Sequence, residues 1–357
     1  MQTIPKLELD FNSIELSNEI HDVLRNIWSQ GGLQQAGYGS YFQNRYAHFC
    51  GTMFAFSSSL GNALKESLVA LKLPANSEVI CPSWISVDHV QSIMSIGLTP
   101  VFAEINPYTL SLDYSDVSHK LSSQTRAVVL NYPFGFPADP CTYVELCKHH
   151  DMRLIEIVPS QIGSQVDDKF IGTFGDVGIF ETHPNQKYSN KKDCLIVTDR
   201  TSVYEHFSKK GLHQFSQLDG ILGMHFLGSF EKFAQKRKEL AQRYHQCFTK
   251  ILHLSVLYEL ANAKWVHQVY PIRMAHKLRD ALMDELVFHQ VQFYVPKAPA
   301  HLYSYIQNVM RPAQLLTTER LTREILYLPI DPNMTVEEQN RIIEIIFRFF
   351  QKSQVYM

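Results

Sequence analysis

The sequence has few of the features that mark a secreted, membrane-bound or nucleic-acid-binding protein. Its six cysteines are scattered over 357 residues without a CxxC pair, so we expect a reduced, cytoplasmic protein without a disulfide framework. No window approaches the ~20 apolar residues that span a bilayer, and Met1–Asp10 lacks the basic start and apolar run of a signal peptide. The net charge of −2 gives no reason to expect nucleic-acid binding. The sixteen histidines show no metal-ligand spacing, and no metal site is predicted.

The sequence does contain a regular alternation of short apolar strands and helical patterns between about residues 60 and 200. Such alternation predicts an α/β fold with a mostly parallel sheet and helices on both faces. The predicted strands are 78–81, 100–104, 127–130, 153–156, 178–180 and 194–197, and the predicted helices are 62–73, 89–96 and 141–150.

The pattern changes after a long amphipathic helix that includes Phe230 to Tyr244. A smaller α+β unit is predicted from there, with strands near 266–273 and 291–294, a helix over 277–285 and a terminal helix over 335–350. Thr335 and Glu338 have the spacing of a capping box at the start of that last helix. We therefore expect an N-terminal segment (1–50) that packs on two domains, a large α/β domain (51–248) and a small C-terminal domain (249–357).

Three stretches together suggest a family. They are Ser77–Ser83 (SEVICPS), Tyr132–Asp139 (YPFGFPAD) and Leu328–Glu338 (LPIDPNMTVEE). In order and spacing they resemble the DegT/DnrJ group of nucleotide-sugar aminotransferases, which use pyridoxal phosphate (PLP). The resemblance covers most of the chain from about residue 20 onward. It implies the fold of type I PLP enzymes, with a large seven-stranded domain, a small C-terminal domain and a homodimer whose active sites lie at the subunit interface.

The resemblance also implies a lysine that forms a Schiff base with the cofactor, and that position holds Gln186. An amide nitrogen cannot form this bond, because its lone pair is delocalised. Lys187 follows directly, but its use as the Schiff base requires a one-residue insertion that is compensated before Cys194.

Other cofactor positions implied by the family are also altered. Ile157 stands where the family has an aspartate for the pyridine nitrogen, and Ser160 is a further altered position of the same run. Ser86 stands where an aromatic ring covers the pyridine, and the nearest ring is shifted to Trp84. Glu181 replaces a serine that binds the phosphate, which puts a carboxylate against a dianion.

The phosphate cup of the family corresponds to the run that begins at Ser59. Its glycine and threonine have become Leu60 and Gly61, although Gly61 and Asn62 could still present backbone N–H groups. The asparagine and arginine that reach across the family's dimer are absent from Leu212–Phe215.

The main hypothesis from these changes is a catalytically diverged aminotransferase homologue that does not carry out PLP transamination. No cofactor is expected, and the chain would bind a nucleotide sugar or a partner in surface-polysaccharide biosynthesis. Trp84, His183 and Tyr294 are the candidates for the substrate cleft. A further hypothesis is that Glu181 and His183 act as an acid–base pair.

Two alternatives remain open. In the first, the chain is an active PLP-dependent nucleotide-sugar aminotransferase with Lys187 as its catalytic lysine. In the second, it is a structural subunit that forms a heterodimer with an active paralogue. The sequence does not decide between a homodimer and a heterodimer.

Overall fold

The structure, a computed structural model, describes Arg25, Ser29 and residues 37–159, 163–181, 193–210, 217–308 and 314–353. In chain order the strands are β1 Phe54–Ser59, β2 Glu78–Pro82, β3 Thr99–Ala103, β4 Thr125–Asn131, β5 Arg153–Val158, β6 Gln165–Val166, β7 Lys169–Phe170, β8 Val177–Phe180, β9 Asp193–Thr198, β10 Ser255–Val256, β11 Ala263–Lys264, β12 Val269–Arg273 and β13 Ile325–Pro329.

The helices alternate with these strands in the first part of the chain and flank the smaller sheet in the last part. They are α1 Tyr38–Cys50, α2 Leu60–Ala70, α3 Val87–Ser95, α4 Tyr114–Lys120, α5 Cys141–His149, α6 Thr201–Lys209, α7 Gln217–Phe248, α8 His276–Phe288, α9 Ser304–Gln307, α10 Leu316–Glu324 and α11 Val336–Ser353. Within the part of the chain that the structure describes, no helix is long and apolar enough to cross a membrane.

The main sheet has seven strands in the order β1-β9-β8-β5-β4-β2-β3. The pairs from β8 to β3 are parallel, and β9 is antiparallel to both β8 and β1. The predicted α/β fold with a mostly parallel sheet is therefore confirmed. Because β2, β4, β5 and β8 run in one direction, their carboxyl ends meet at the same edge, which is where ligands bind in such sheets.

Both faces of the sheet are buried, as expected for parallel strands covered by helices. Side chains alternate along β5: Leu154 and Val158 belong to the core on one face, and Ile155 and Ile157 to the core on the other. The second core also contains Val90 of α3. This alternation decides which side chains of the sheet can face α2 and α3 at the carboxyl edge.

A smaller sheet of order β10-β12-β13 forms the C-terminal part with α7, α8 and α11. Its core packs Tyr244, Leu282, Leu328 and Ile346. The capping box is confirmed: the Thr335 N–H donates to Glu338 at 2.8 Å and the Glu338 N–H to the Thr335 hydroxyl at 3.1 Å. These two bonds satisfy amides at the start of α11 that have no partner within the helix.

The proposed division at residue 248 coincides with the end of α7, while β11 from the C-terminal side pairs with β6 from the N-terminal side. The three-part division 1–50, 51–248 and 249–357 stays a prediction. The predicted strand near 291–294 is wrong, since only Tyr294 forms a bridge, with Tyr327. The single bridge leaves the neighbouring residues without the ladder that defines a strand.

His267, just before β12, is a buried imidazole with a strong pH consequence. Its ring lies 3.8 Å from that of Trp265, and burial, followed by the charges of His245 and Lys238, lowers its pKa to about 3. The folded protein keeps this ring neutral, whereas the unfolded chain protonates it below about pH 6.5. The free energy of unfolding therefore falls as the pH drops below that value.

We expect His267→Phe to remove this pH dependence. Between about pH 7 and about pH 5, the wild type should lose about 2 kcal/mol more unfolding free energy than the variant. Urea unfolding of both proteins at the two pH values measures this difference in unfolding free energy. His276→Phe, at an exposed histidine, is the control and should follow the wild type. Equal losses in wild type and His267→Phe would show that the ring is not held neutral.

Candidate functional site

A cleft of about 730 Å³ opens at the carboxyl edge of the main sheet. Trp84 follows β2, Asn131 ends β4, Pro159 follows β5 and Glu181 follows β8, so four neighbouring strand ends supply its floor. The opposite wall comes from the loop after α8 and the C-terminal sheet, with Val295, Pro296, Lys297, Ala298, Tyr303, Tyr305 and Tyr327. This is the position at which open parallel sheets bind ligands.

The side chain of Glu181 contacts a buried histidine of α3. The Nε2 of His89 lies 2.5 Å from Oε1 of Glu181, and the side chain of His89 is fully buried whereas that of Glu181 is 18% exposed. The Nδ1 of His89 has no hydrogen-bond partner among the described residues. Glu181 lines the cleft, and the contact with the imidazole fixes the position of its carboxylate.

Asn131 borders the same cleft and carries a buried acceptor without a partner among the described residues. Its amide nitrogen donates to the carbonyl of Trp84 at 3.1 Å, and its Oδ1 is buried without a partner in the part of the chain that is described. A carbonyl can only accept, so the contact with Trp84 fixes which end of the amide is nitrogen. The Oδ1 of Asn131 is thus an acceptor that needs a donor from elsewhere.

The aromatic rings of the cleft form one packed group. Trp84 meets Phe134 edge to face with centroids 5.7 Å apart, and Phe134 lies 4.5 Å from Tyr327. Phe134 has a left-handed backbone (φ 61°), which is strained for an aromatic residue. The indole of Trp265 donates to the Phe134 carbonyl at 3.2 Å and helps to hold it. The predicted cleft residue Trp84 is thus a wall of this site.

Ile157 and Ser86, which the resemblance places beside the cofactor ring, have other contacts in the structure. Ile157 is 1% exposed and packs within the hydrocarbon core between the sheet and the helices α2 and α3. Ser86 is the N-cap of α3, and its hydroxyl accepts from the Asp88 N–H at 3.3 Å. Neither residue offers a charged partner or a ring for a pyridine.

The N-terminus of α2 keeps backbone donors next to the cleft, which it borders through Leu60. Ser59 is its N-cap but makes no side-chain capping bond, and Leu60 lines the cleft. Gly61 and Asn62 are exposed in the first turn. The amides of this turn are therefore not taken by a side chain of the cap, and the helix dipole adds to their affinity for an anion.

Tyr294 lies in a neighbouring cleft of about 680 Å³ in the C-terminal part and does not line the first one. Gln268 and Val269 border both clefts, so the two are adjacent. The remaining predicted site residues, Gln186, Lys187, His183 and Ser160, lie outside the described residues. Their predicted roles stay predictions.

A serine, a histidine and a glutamate form a hydrogen-bonded series that was not predicted from the sequence. The Oγ of Ser83 lies 2.8 Å from Nδ1 of His301, whose Nε2 lies 3.2 Å from Glu319. The order resembles a nucleophile, base and acid, but Ser83 is 0% exposed and cannot meet a substrate. These hydrogen bonds instead fix the loop before Tyr303 to Ser83, just after β2. The Ser83 carbonyl also accepts from the Ala300 N–H at 2.7 Å.

A model of the DegT/DnrJ/EryC1/StrS aminotransferase family matches residues 14–218 and 213–347. The chain belongs to this family. It is a family of sugar aminotransferases in nucleotide-sugar biosynthesis. Its members include a GDP-perosamine synthase of Escherichia coli O157:H7, which is 24% identical over 353 residues and covers 93% of this chain and 94% of the relative.

Two further similarities extend over nearly the whole chain. The dTDP-3-amino-3,6-dideoxy-alpha-D-galactopyranose transaminase of Aneurinibacillus thermoaerophilus is 22% identical over 364 residues, with 97% of this chain and 99% of that protein covered. The crystal structure of NtdA from Bacillus subtilis with bound cofactor PMP superposes with a TM-score of 0.84 at 20% identity, covering 98% of this chain and 86% of NtdA. The predicted family and fold are therefore confirmed.

The expectation that no cofactor belongs to this chain is wrong. The family is one of aminotransferases, and NtdA, which shares the fold, holds PMP. Altered side chains do not remove such a site, because a phosphate site is built in part from backbone amides, which substitutions leave in place. The first turn of α2, with Gly61 and Asn62, fits the phosphate of such a cofactor.

The described residues fit the cofactor ring less well than its phosphate. Ile157 supplies no acid for a pyridine nitrogen, and Glu181 adds a negative charge near a site for a dianion.

Proposed function

We propose that this chain is a diverged member of its family that binds a nucleotide sugar in the cleft and does not complete transamination itself. The observation that carries the proposal is the burial of Ile157 in hydrocarbon at the strand end where the family has an aspartate. Without that acid the pyridine of a bound cofactor is not kept protonated and is a poor electron acceptor.

The form of the cleft supports a sugar ligand. It combines exposed edges of aromatic residues such as Trp84 and Tyr305 with hydrogen-bonding groups on Asn131 and Glu181. A cleft of about 730 Å³ is in the range that small-molecule sites occupy. We place the chain in the cytoplasm, in surface-polysaccharide biosynthesis, as a homodimer or as a heterodimer with an active paralogue.

Calorimetric titration with UDP-, dTDP- and GDP-sugars, with PLP or PMP supplied, tests binding. We expect at least one nucleotide series to bind. Trp84→Ala should weaken it about 10-fold, since a lost ring contact of about 1.4 kcal/mol corresponds to that factor. Tyr258→Ala, at an exposed ring outside this cleft, is the control. Absence of heat with all three series would contradict the ligand half of the proposal.

The catalytic half is tested with PLP, an amino-acid donor and a nucleotide-linked keto sugar. We expect no amino sugar to form. If an amino sugar forms and Lys187→Ala abolishes it, the chain is an active aminotransferase and the catalytic half of the proposal is wrong. Activity that arises only on mixing with a catalytic paralogue would identify it as a subunit of a heterodimer.

A further inference from the structure

We propose that the cleft selects a sugar that already carries a free amino group, held as an ammonium ion by the carboxylate of Glu181. Asn131 accepts a hydrogen bond from a hydroxyl group of the same sugar. The inference rests on the proposed function, because it names the class of nucleotide sugar that the cleft takes. It makes the ligand a product of sugar amination rather than the keto sugar that undergoes it.

The first step concerns the orientation of the Glu181 carboxylate. Its Oε1 is 2.5 Å from Nε2 of His89, a fully buried ring whose Nδ1 has no partner among the described residues. The Nε2–H of His89 donates to Oε1 and fixes the carboxylate, which keeps a second oxygen for another donor.

The second step concerns what surrounds that carboxylate. Among the described residues that line the cleft, the acidic and basic side chains are Asp88, Glu181 and Lys297. Two carboxylates and one ammonium group therefore line the described part of the cleft. A half-buried carboxylate in such a place is best satisfied by a cation that also donates hydrogen bonds.

The third step concerns Asn131. Asn131 borders the cleft, its amide nitrogen donates to the Trp84 carbonyl, and its buried Oδ1 has no partner in the described part of the chain. Both Oδ1 and the Glu181 carboxylate accept hydrogen bonds. A keto sugar offers these acceptors only neutral hydroxyl donors, whereas an amino sugar supplies a charged ammonium group for Glu181 and a hydroxyl for Asn131.

The spacing of these two acceptors suits one sugar ring. Asn131 ends β4 and Glu181 follows β8, and β5 lies between these strands. The register pairs Asn131 with Ile157 and Ile157 with Ile179, so alternation puts Asn131 and Glu181 on the same face as Ile157. Two strand spacings across the sheet and two residues along the chain separate their Cα positions by about 12 Å, which the two side chains and one sugar ring can span.

The test compares matched nucleotide sugars. The probes are UDP-glucosamine and dTDP-4-amino-4,6-dideoxyglucose, each beside the same molecule with a hydroxyl in place of the amine and beside its N-acetylated form. At about pH 7 we expect at least one free amine to bind about 10-fold or more tightly than both of its counterparts. The N-acetyl form removes the charge without any change in the protein, so this comparison does not depend on a variant that folds.

Glu181→Gln is the matching protein variant. The amide oxygen can still accept from His89, so the fold is retained, and circular dichroism checks this. We expect the preference for the amine to disappear while binding of the hydroxyl sugar remains. Asp88→Asn, at a carboxylate of the same cleft, should keep the preference. Equal loss in both variants would show a general effect of charge and overturn the assignment to Glu181.

The outcomes separate the inference from the proposed function. If no nucleotide sugar binds, the proposed function fails. If nucleotide sugars bind with equal affinity whether or not they carry an amine, the inference fails and the proposed function stands. A preference for the amine that survives Glu181→Gln would also overturn the inference, because the selecting group would then lie elsewhere.

Discussion

Replacement of Gly178 by alanine is expected to prevent stable folding. A Cβ at this position would stand 1.7 Å from the carbonyl oxygen of Gly172 and 3.0 Å from Cγ2 of Val197. Gly178 lies in β8, which is hydrogen-bonded to β5 on one side and β9 on the other, so the strand cannot move away. The obstructing atom is backbone rather than the end of a flexible side chain. We expect a loss of more than about 4 kcal/mol of unfolding free energy, a large part of the stability of an ordinary domain.

Expression yield and urea unfolding followed by circular dichroism measure this effect. The matched control is Gly228→Ala on α7, where the added Cβ meets nothing within 4 Å. That variant should be more stable than the wild type by about 1 kcal/mol, because alanine favours the helix. A Gly178→Ala protein that unfolds at the wild-type urea concentration would mean that the loop at Gly172 is displaced at little cost.

The same strand shows why much of the fold could be predicted from the sequence. Val177–Phe180, Thr125–Asn131 and Arg153–Val158 are short apolar runs that a sheet buried on both faces requires, and each was predicted to within a few residues. The strand Phe54–Ser59 was missed, because it ends in three serines and pairs at the edge of the sheet with β9. Its partner contacts, rather than its own hydrophobicity, make it a strand.

The contacts of the cleft were less predictable. Trp84 and Glu181 follow strands, so their place at the carboxyl edge could be inferred from the order of elements. The pair of His89 and Glu181 joins residues 92 positions apart, and Ser83 and His301 are 218 positions apart. No local sequence pattern predicts partners that are so far apart in the chain. Asn131 did carry a signal, since a polar residue at the end of a buried strand lies where parallel sheets bind ligands.

Glu156 shows a further limit of sequence reasoning, because a single acidic residue inside an apolar strand suggests no partner. In the structure it is fully buried and accepts from the Tyr132 hydroxyl at 2.7 Å and from the amides of Gly172, Phe174 and Gly175 at 2.9, 2.6 and 2.6 Å. Burial raises the pKa of Glu156, and these four hydrogen bonds hold the rise down. The carboxylate thereby joins the loop before β8 to the centre of the sheet.

We expect Glu156→Leu to cost about 3–5 kcal/mol of unfolding free energy. The substitution leaves three backbone amides and a tyrosine hydroxyl without an acceptor, and each buried donor without a partner costs about 1–3 kcal/mol before the loop relaxes. Glu156→Gln should lose less, because it keeps one oxygen but turns an NH₂ group toward amides that also donate. Urea unfolding of the two variants shows which of them loses more unfolding free energy.

Tyr132→Phe is the matched control for this cluster. It removes one of the four donors and leaves the carboxylate with its three amides, so the expected loss is about 1 kcal/mol. If Glu156→Leu were as stable as Tyr132→Phe, the amides of residues 172–175 would have found water in place of the carboxylate. The loop would then owe its position to Gly178, whose missing Cβ gives the Gly172 carbonyl room beside β8. Glu156→Leu and Gly178→Ala thus test two different causes for the position of the same loop. The first removes the hydrogen-bond acceptor of its amides, and the second fills the space beside β8 that its carbonyl occupies.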